Sequence, residues 1–133
     1  MKHYSIIFIS IVVLLASGCQ KKDETPVQPD KVSFDVLSPH ASQVFKKGDT
    51  VFIKADISYV SQLHGYSVSI TDEGTGEVVY SNEDHAHGDH FSIDEYWVDS
   101  LGNNNKALKL DIVAVIDHEN NTAQKEVELK HQP

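Results

Sequence analysis

The sequence predicts an all-β fold, a β-sandwich of about seven antiparallel strands over residues 32–133. Three observations carry that expectation. Apolar residues recur with a period of two in almost every segment, not at the three-to-four spacing of an amphipathic helix. Turn-forming clusters separate these segments at short intervals, and each apolar segment is of strand length. The body is about a hundred residues long, enough for one small domain with a single core.

The elements follow in order. Val32, Phe34 and Val36 share one face, and Ser33 and Asp35 the other. Ser38-Pro39 and Lys47-Gly48-Asp49 mark a turn region before Val51, Ile53, Ala55 and Ile57 alternate with Phe52, Lys54, Asp56 and Ser58. Tyr66, Val68 and Ile70 alternate with Ser67, Ser69 and Thr71. The Gly-rich turn Asp72-Glu73-Gly74-Thr75-Gly76 then returns the chain through Val78, Val79 and Tyr80 as a hairpin. Phe91, Ile93 and Trp97 make the next strand, and Gly102-Asn103-Asn104-Asn105 breaks it. The last pair carries Leu108, Leu110, Ile112, Ala114 and Ile116 inward, turns over Asp117 to Asn121, and returns through Val127 and Leu129.

Ahead of this body stand a cationic start at Lys2 and an apolar run from Ile6 to Ala16 broken only by Ser10. The run is well short of the ~20 residues of a spanning helix, and Gln20-Lys21-Lys22-Asp23-Glu24 follows almost at once, so residues 1–18 read as a signal peptide. Ala16-Ser17-Gly18-Cys19 resembles the lipobox of bacterial lipoprotein precursors, with Ala where Leu is commoner. That resemblance implies cleavage before Cys19 and acyl chains, palmitate among them, on its sulfur. A doubly acylated cysteine anchors stably. Residues 20–24 resemble the lysine-plus-acidic tag of surface-exported lipoproteins of the Bacteroidota, which implies a cell-envelope protein anchored to the outer membrane and exposed on its surface. Residues 19–31, with Pro26 and Pro29 and almost nothing apolar, read as a flexible tether.

Loss of residues 1–18 removes Lys2, so the formal charge moves from -9 to -10. The chain contains no arginine, which argues against nucleic acid as a partner and for cations. Maturation also removes Met1, the only methionine, and lipidation consumes the only cysteine, so any metal must bind through nitrogen and oxygen.

Ser38-Pro39 with Lys47-Gly48-Asp49-Thr50-Val51 resembles the first two strands of bacterial immunoglobulin-like domains. Val115 to Thr122 is similar to their final hairpin, with Asn120 where Gly is usual, a position at which Asn tolerates a left-handed backbone. Over residues 32–130 the chain looks most like a Bacteroidota lipoprotein family of unknown function that carries His-x-His runs. That family implies no activity, so function rests on the site.

His85-Ala86-His87-Gly88-Asp89-His90 sets three imidazoles within six residues, among Glu83, Asp84 and Asp89. In extended chain His85 and His87 point the same way about 6 to 7 Å apart, and Gly88 lets His90 join. If successive strands reverse direction, the connections holding His64, His85 to His90 and His118 all fall at one end, and His40 at the other. His64 and His118 also extend inward-facing rows to that rim. The expected metal ligands are therefore His85, His87, His90, His64 and His118. Asp84, Asp89, Asp117 and Glu119 are candidates to complete coordination or to orient imidazoles. No role is expected for His3, His40 or His131, and Trp97, Tyr96 and Tyr66 read as packing rather than as a sugar-stacking platform.

Imidazole and carboxylate suit zinc best, then copper(II) or nickel(II). The expected function is capture, buffering or delivery of such an ion, in partnership with the membrane through the anchor and with an envelope protein. The alternatives are an adhesion or scaffold module without a specific metal, and a solvated cluster whose imidazoles titrate independently. No nucleophile or base signature accompanies the histidines, so no enzymatic activity is expected.

Overall fold

The computed structural model describes residues 26–133. The signal peptide, Cys19 and most of the tether lie outside the described residues. A short 3-10 turn, Pro29–Lys31, leads into eight strands: β1 (Ser33–Ser38), β2 (Gln43–Lys46), β3 (Thr50–Leu63), β4 (Gly65–Asp72), β5 (Val78–Asp84), β6 (Gly88–Val98), β7 (Lys106–Val115) and β8 (Thr122–Gln132). They form two sheets, one ordered β1-β3-β6 and the other β2-β8-β7-β4-β5. This is the expected all-β sandwich, with eight strands divided three and five between the two sheets.

The alternation seen in the sequence is the alternation of burial. Val51, Ile53, Ala55 and Ile57 of β3 face the core, as do Val68 and Ile70 of β4, Ile93 and Trp97 of β6, and Leu108, Leu110, Ile112 and Ala114 of β7. The outer row of β3 holds Lys54, Asp56 and Ser58 and that of β4 Ser67, Ser69 and Thr71, so a one-residue slip of either strand would expose its apolar row and bury these polar residues. Hydrophobic burial therefore fixes the register that brings distant segments together at the ends of the sandwich.

β2 differs from the expectation of a turn region between Ser38 and Asp49. It pairs in parallel with the end of β8, Gln43 opposite Leu129 and Lys46 opposite Gln132. Its four residues bury only Phe45 and leave Val44 exposed, too short a run to register as a period of two. Its partner lies more than eighty residues away. β5 pairs with β4, as a hairpin should, and so becomes an edge of the five-stranded sheet. The gap between β5 and β6, the edges of opposite sheets, is tied by Glu95. Tyr80 Oη donates to its Oε2 at 2.7 Å and Asn82 Nδ2 to its Oε1 at 2.7 Å. Burial and this bond raise the Tyr80 phenol above its usual pKa, and burial with the Glu95 charge does the same for Tyr66.

β8 runs past Leu129 to carry His131 inward, where the sequence gives no reason to expect a role. The side chain is fully buried, with Nδ1 2.6 Å from Asp99 Oδ2 and Nε2 2.7 Å from the Gly102 carbonyl oxygen. The Leu101 amide donates to Asp99 Oδ1 at 3.0 Å, so each polar atom of the pair has a partner. The connections after β6 and after β8 are thus latched together at the pole opposite His64. Removing one member of such a pair strands the other, which costs roughly 3–5 kcal/mol. His131→Ala is expected to lower unfolding stability by about that amount in urea titration, and a loss under 1 kcal/mol would refute the latch.

Candidate functional site

The site is built at three strand junctions. Leu63, the last residue of β3, pairs with Gly88 in the three-stranded sheet. Gly65, the first residue of β4, pairs with Val115 in the five-stranded sheet. One residue, His64, therefore crosses from one sheet to the other, and its amide donates to the Val115 carbonyl at 2.7 Å. The connection of β5 to β6 (residues 85–87) and that of β7 to β8 (116–121) flank this crossing, because Tyr66 pairs with Asp84 and Val115 with Thr122.

Gly65 is what allows the close approach. Its φ is +141°, and a Cβ there would collide with the Asp84 carbonyl oxygen and lie 3.3 Å from the His85 Cα. The backbone that carries His85 is pressed directly onto the residue after His64.

Four imidazoles meet as a result. Ring centroids of His64 and His118 are 4.2 Å apart, those of His64 and His87 4.7 Å, and those of His87 and His118 6.1 Å, all edge-to-face. His85 joins through His87 at 5.7 Å. His64 lies half-buried beneath the more exposed His85, His87 and His118, and its Nδ1 is buried without a hydrogen-bond partner. Burial first, then the neighbouring His118 and His87, hold the His64 imidazole below its ordinary pKa of 6.5, against a smaller opposing pull from Asp117. A neutral ring with an orphaned nitrogen is chemically a donor awaiting an acceptor. Among the described residues, no group of three or more His, Cys, Asp and Glu side chains stands ready-made to hold a metal ion. The rings touch by their edges, and gathering their nitrogens on one point requires rotation about side-chain bonds.

His90, the fifth expected ligand, points elsewhere. It lies on the outward face of the three-stranded sheet opposite Ser58, its Nε2 3.2 Å from Ser92 Oγ and 3.6 Å from Asp56 Oδ1. Ser92 donates its own proton to Asp56 at 2.6 Å, so it can only accept from His90. Gly88 does not bend the chain but opens β6, and the alternation of that strand turns Phe91 inward and His90 outward.

The carboxylates divide likewise. Asp117 is taken up by its own turn. Oδ1 accepts from the amides of Glu119 (2.9 Å) and Asn121 (3.1 Å), and Oδ2 from Asn121 Nδ2 at 2.6 Å. The Asn121 side chain foremost, then these amides, keep its pKa below the usual carboxylate value. Asp117 thus shapes the turn that presents His118, while Asn120 has the left-handed backbone expected of it, φ 64°. Asp84 and Asp89 are exposed, and Glu119 lines a cavity of about 650 Å³ beside the cluster. His64 and His118 share that cavity, which Tyr59, Val27 and Ile116 help to enclose. Trp97 is core, and Tyr66 packs against Phe91 with centroids 5.7 Å apart.

Gly65, Tyr59, Glu95 and the Asp99–His131 pair were not singled out from the sequence, although a glycine breaking the apolar alternation next to a histidine is a signal of close backbone approach.

Gly65→Ala is expected to cost about 1–3 kcal/mol or more for its backbone conformation alone. It should also separate His85 and His87 from His64, seen as loss of ring-to-ring nuclear Overhauser effects. In the metal-free protein His64 should titrate below 6.5 by NMR. Its folded-state pKa is depressed, so the stability it contributes is present above pH 6.5 and is lost as pH falls through the folded value. The sequence matches no protein-family model and no curated protein, and the chemistry of the site rests on these residues.

Proposed function

We propose that this chain is a cell-envelope lipoprotein, held to the outer membrane through Cys19, that captures, buffers or delivers a divalent transition metal at the rim formed by His64, His87, His118 and His85. The observation that carries the reading is the buried, unpartnered Nδ1 of His64 in contact with two further imidazoles. An isolated buried nitrogen of this kind costs free energy, and a cation offsets that cost by accepting its lone pair. The absence of arginine and the net charge of -9 favour a cation over an anion. Imidazole ligands without sulfur select zinc, with copper(II) and nickel(II) next.

The rival reading, an immunoglobulin-like scaffold or adhesion module, draws support from the lack of a preassembled ligand group among the described residues. Calorimetric titration of the mature chain with zinc separates the two. Capture predicts one stoichiometric site that His64→Ala or His87→Ala weakens by more than about 100-fold, beyond the 10–100-fold cost of losing an outer partner. His90→Ala should leave it unchanged. The site should weaken as pH falls into the acid range, because only neutral imidazole binds. Weak binding that declines in equal small steps with every histidine removed, His90 included, would favour the scaffold.

A further inference from the structure

We propose that the cavity beside the histidines is the second half of the site and seats a small amine-bearing chelator, an amino acid or short peptide, directly on the ion. The inference rests on the metal reading and deepens it by naming the form in which the ion is held, as a chelate rather than bare.

Three observations lead there. First, the space is about 650 Å³, within the range of small-molecule sites and far larger than a bound water needs. It is walled by His64 and His118, two of the three rings in mutual contact, so an ion gripped by those rings borders it. Second, His64, His87 and His118 are in mutual contact and supply three nitrogens, while His85 meets only His87 among them, at 5.7 Å, whereas zinc favours four ligands. The carboxylate between them and the strand, Asp117, is committed to Asn121 and to two backbone amides. A fourth donor can therefore come from the cavity. Third, the walls match one kind of molecule. Glu119 supplies a carboxylate suited to accept from the N–H of a metal-bound amine, and Val27 and Ile116 offer apolar surface to a side chain. The Tyr59 hydroxyl accepts from the Gln28 amide at 3.1 Å and keeps its own proton to donate to a carboxylate. A purely anionic chelator has no cation to meet here except the ion itself, and carries charge of the same sign as Glu119 and Asp117.

The test uses the mature chain, zinc and L-histidine as the probe. L-Histidine is expected to bind the zinc-loaded protein with one-to-one stoichiometry in calorimetry, to bind the metal-free protein at least tenfold more weakly, and to slow zinc loss to a competing chelator at least tenfold. Ser61→Trp, which places an indole in the cavity wall without removing an imidazole, should retain zinc affinity while reducing L-histidine binding by tenfold or more. If zinc binds but L-histidine only strips it, or if Ser61→Trp leaves the ternary complex intact, the chelate proposal falls and the metal reading stands. If the parent chain holds no zinc, both fall together.

Discussion

The structure turns on a one-residue crossing. A chain that leaves one sheet at Leu63 and joins the other at Gly65 has no room for a loop, so the intervening side chain is held at the seam between the layers. Hydrophobic registration on either side fixes the crossing, since Ile57 and Leu63 on one strand and Val68 and Ile70 on the next are all fully buried. The other two junctions at that end are then drawn onto the seam by strand pairing rather than by any attraction among histidines. Four rings that would repel one another if protonated are assembled by forces indifferent to their charge.

This explains which parts of the site could be read from the chain. The sandwich was legible because inward and outward rows alternate without exception through Val51 to Ile57 and Leu108 to Ile116. The convergence of His64, His87 and His118 was legible for the same reason, since strand reversal and parity alone assign them to one rim. His90 was not, because proximity in sequence to His87 says nothing about the face on which a residue falls once β6 begins at Gly88. Asp117 could be assigned to the right turn but not to its task, because a carboxylate beside a histidine looks the same whether it accepts from backbone amides or from a metal. β2 escaped because parallel pairing with a distant strand leaves almost no local mark.

The two ends of the sandwich treat a buried histidine in opposite ways. At one pole His131 has both nitrogens engaged, by Asp99 and by the Gly102 carbonyl, and closes the fold. At the other, His64 has a nitrogen sealed from water with nothing to bond. His131 is wholly buried and His64 half-buried, and the further difference is whether a carboxylate was supplied. Where Asp99 completes His131, the nearest carboxylate to His64 has been turned away to serve Asn121. Structure and receptivity are thereby separated along the long axis of a single small domain.

The chain also enters the body at a telling point. Val27 lies in the wall shared with His64 and His118, and Gln28 is pinned to Tyr59. The first described residues and the imidazole pole are therefore one mechanical unit, so a load applied at Val27 or Gln28 reaches His64 and His118 before it reaches the latched pole.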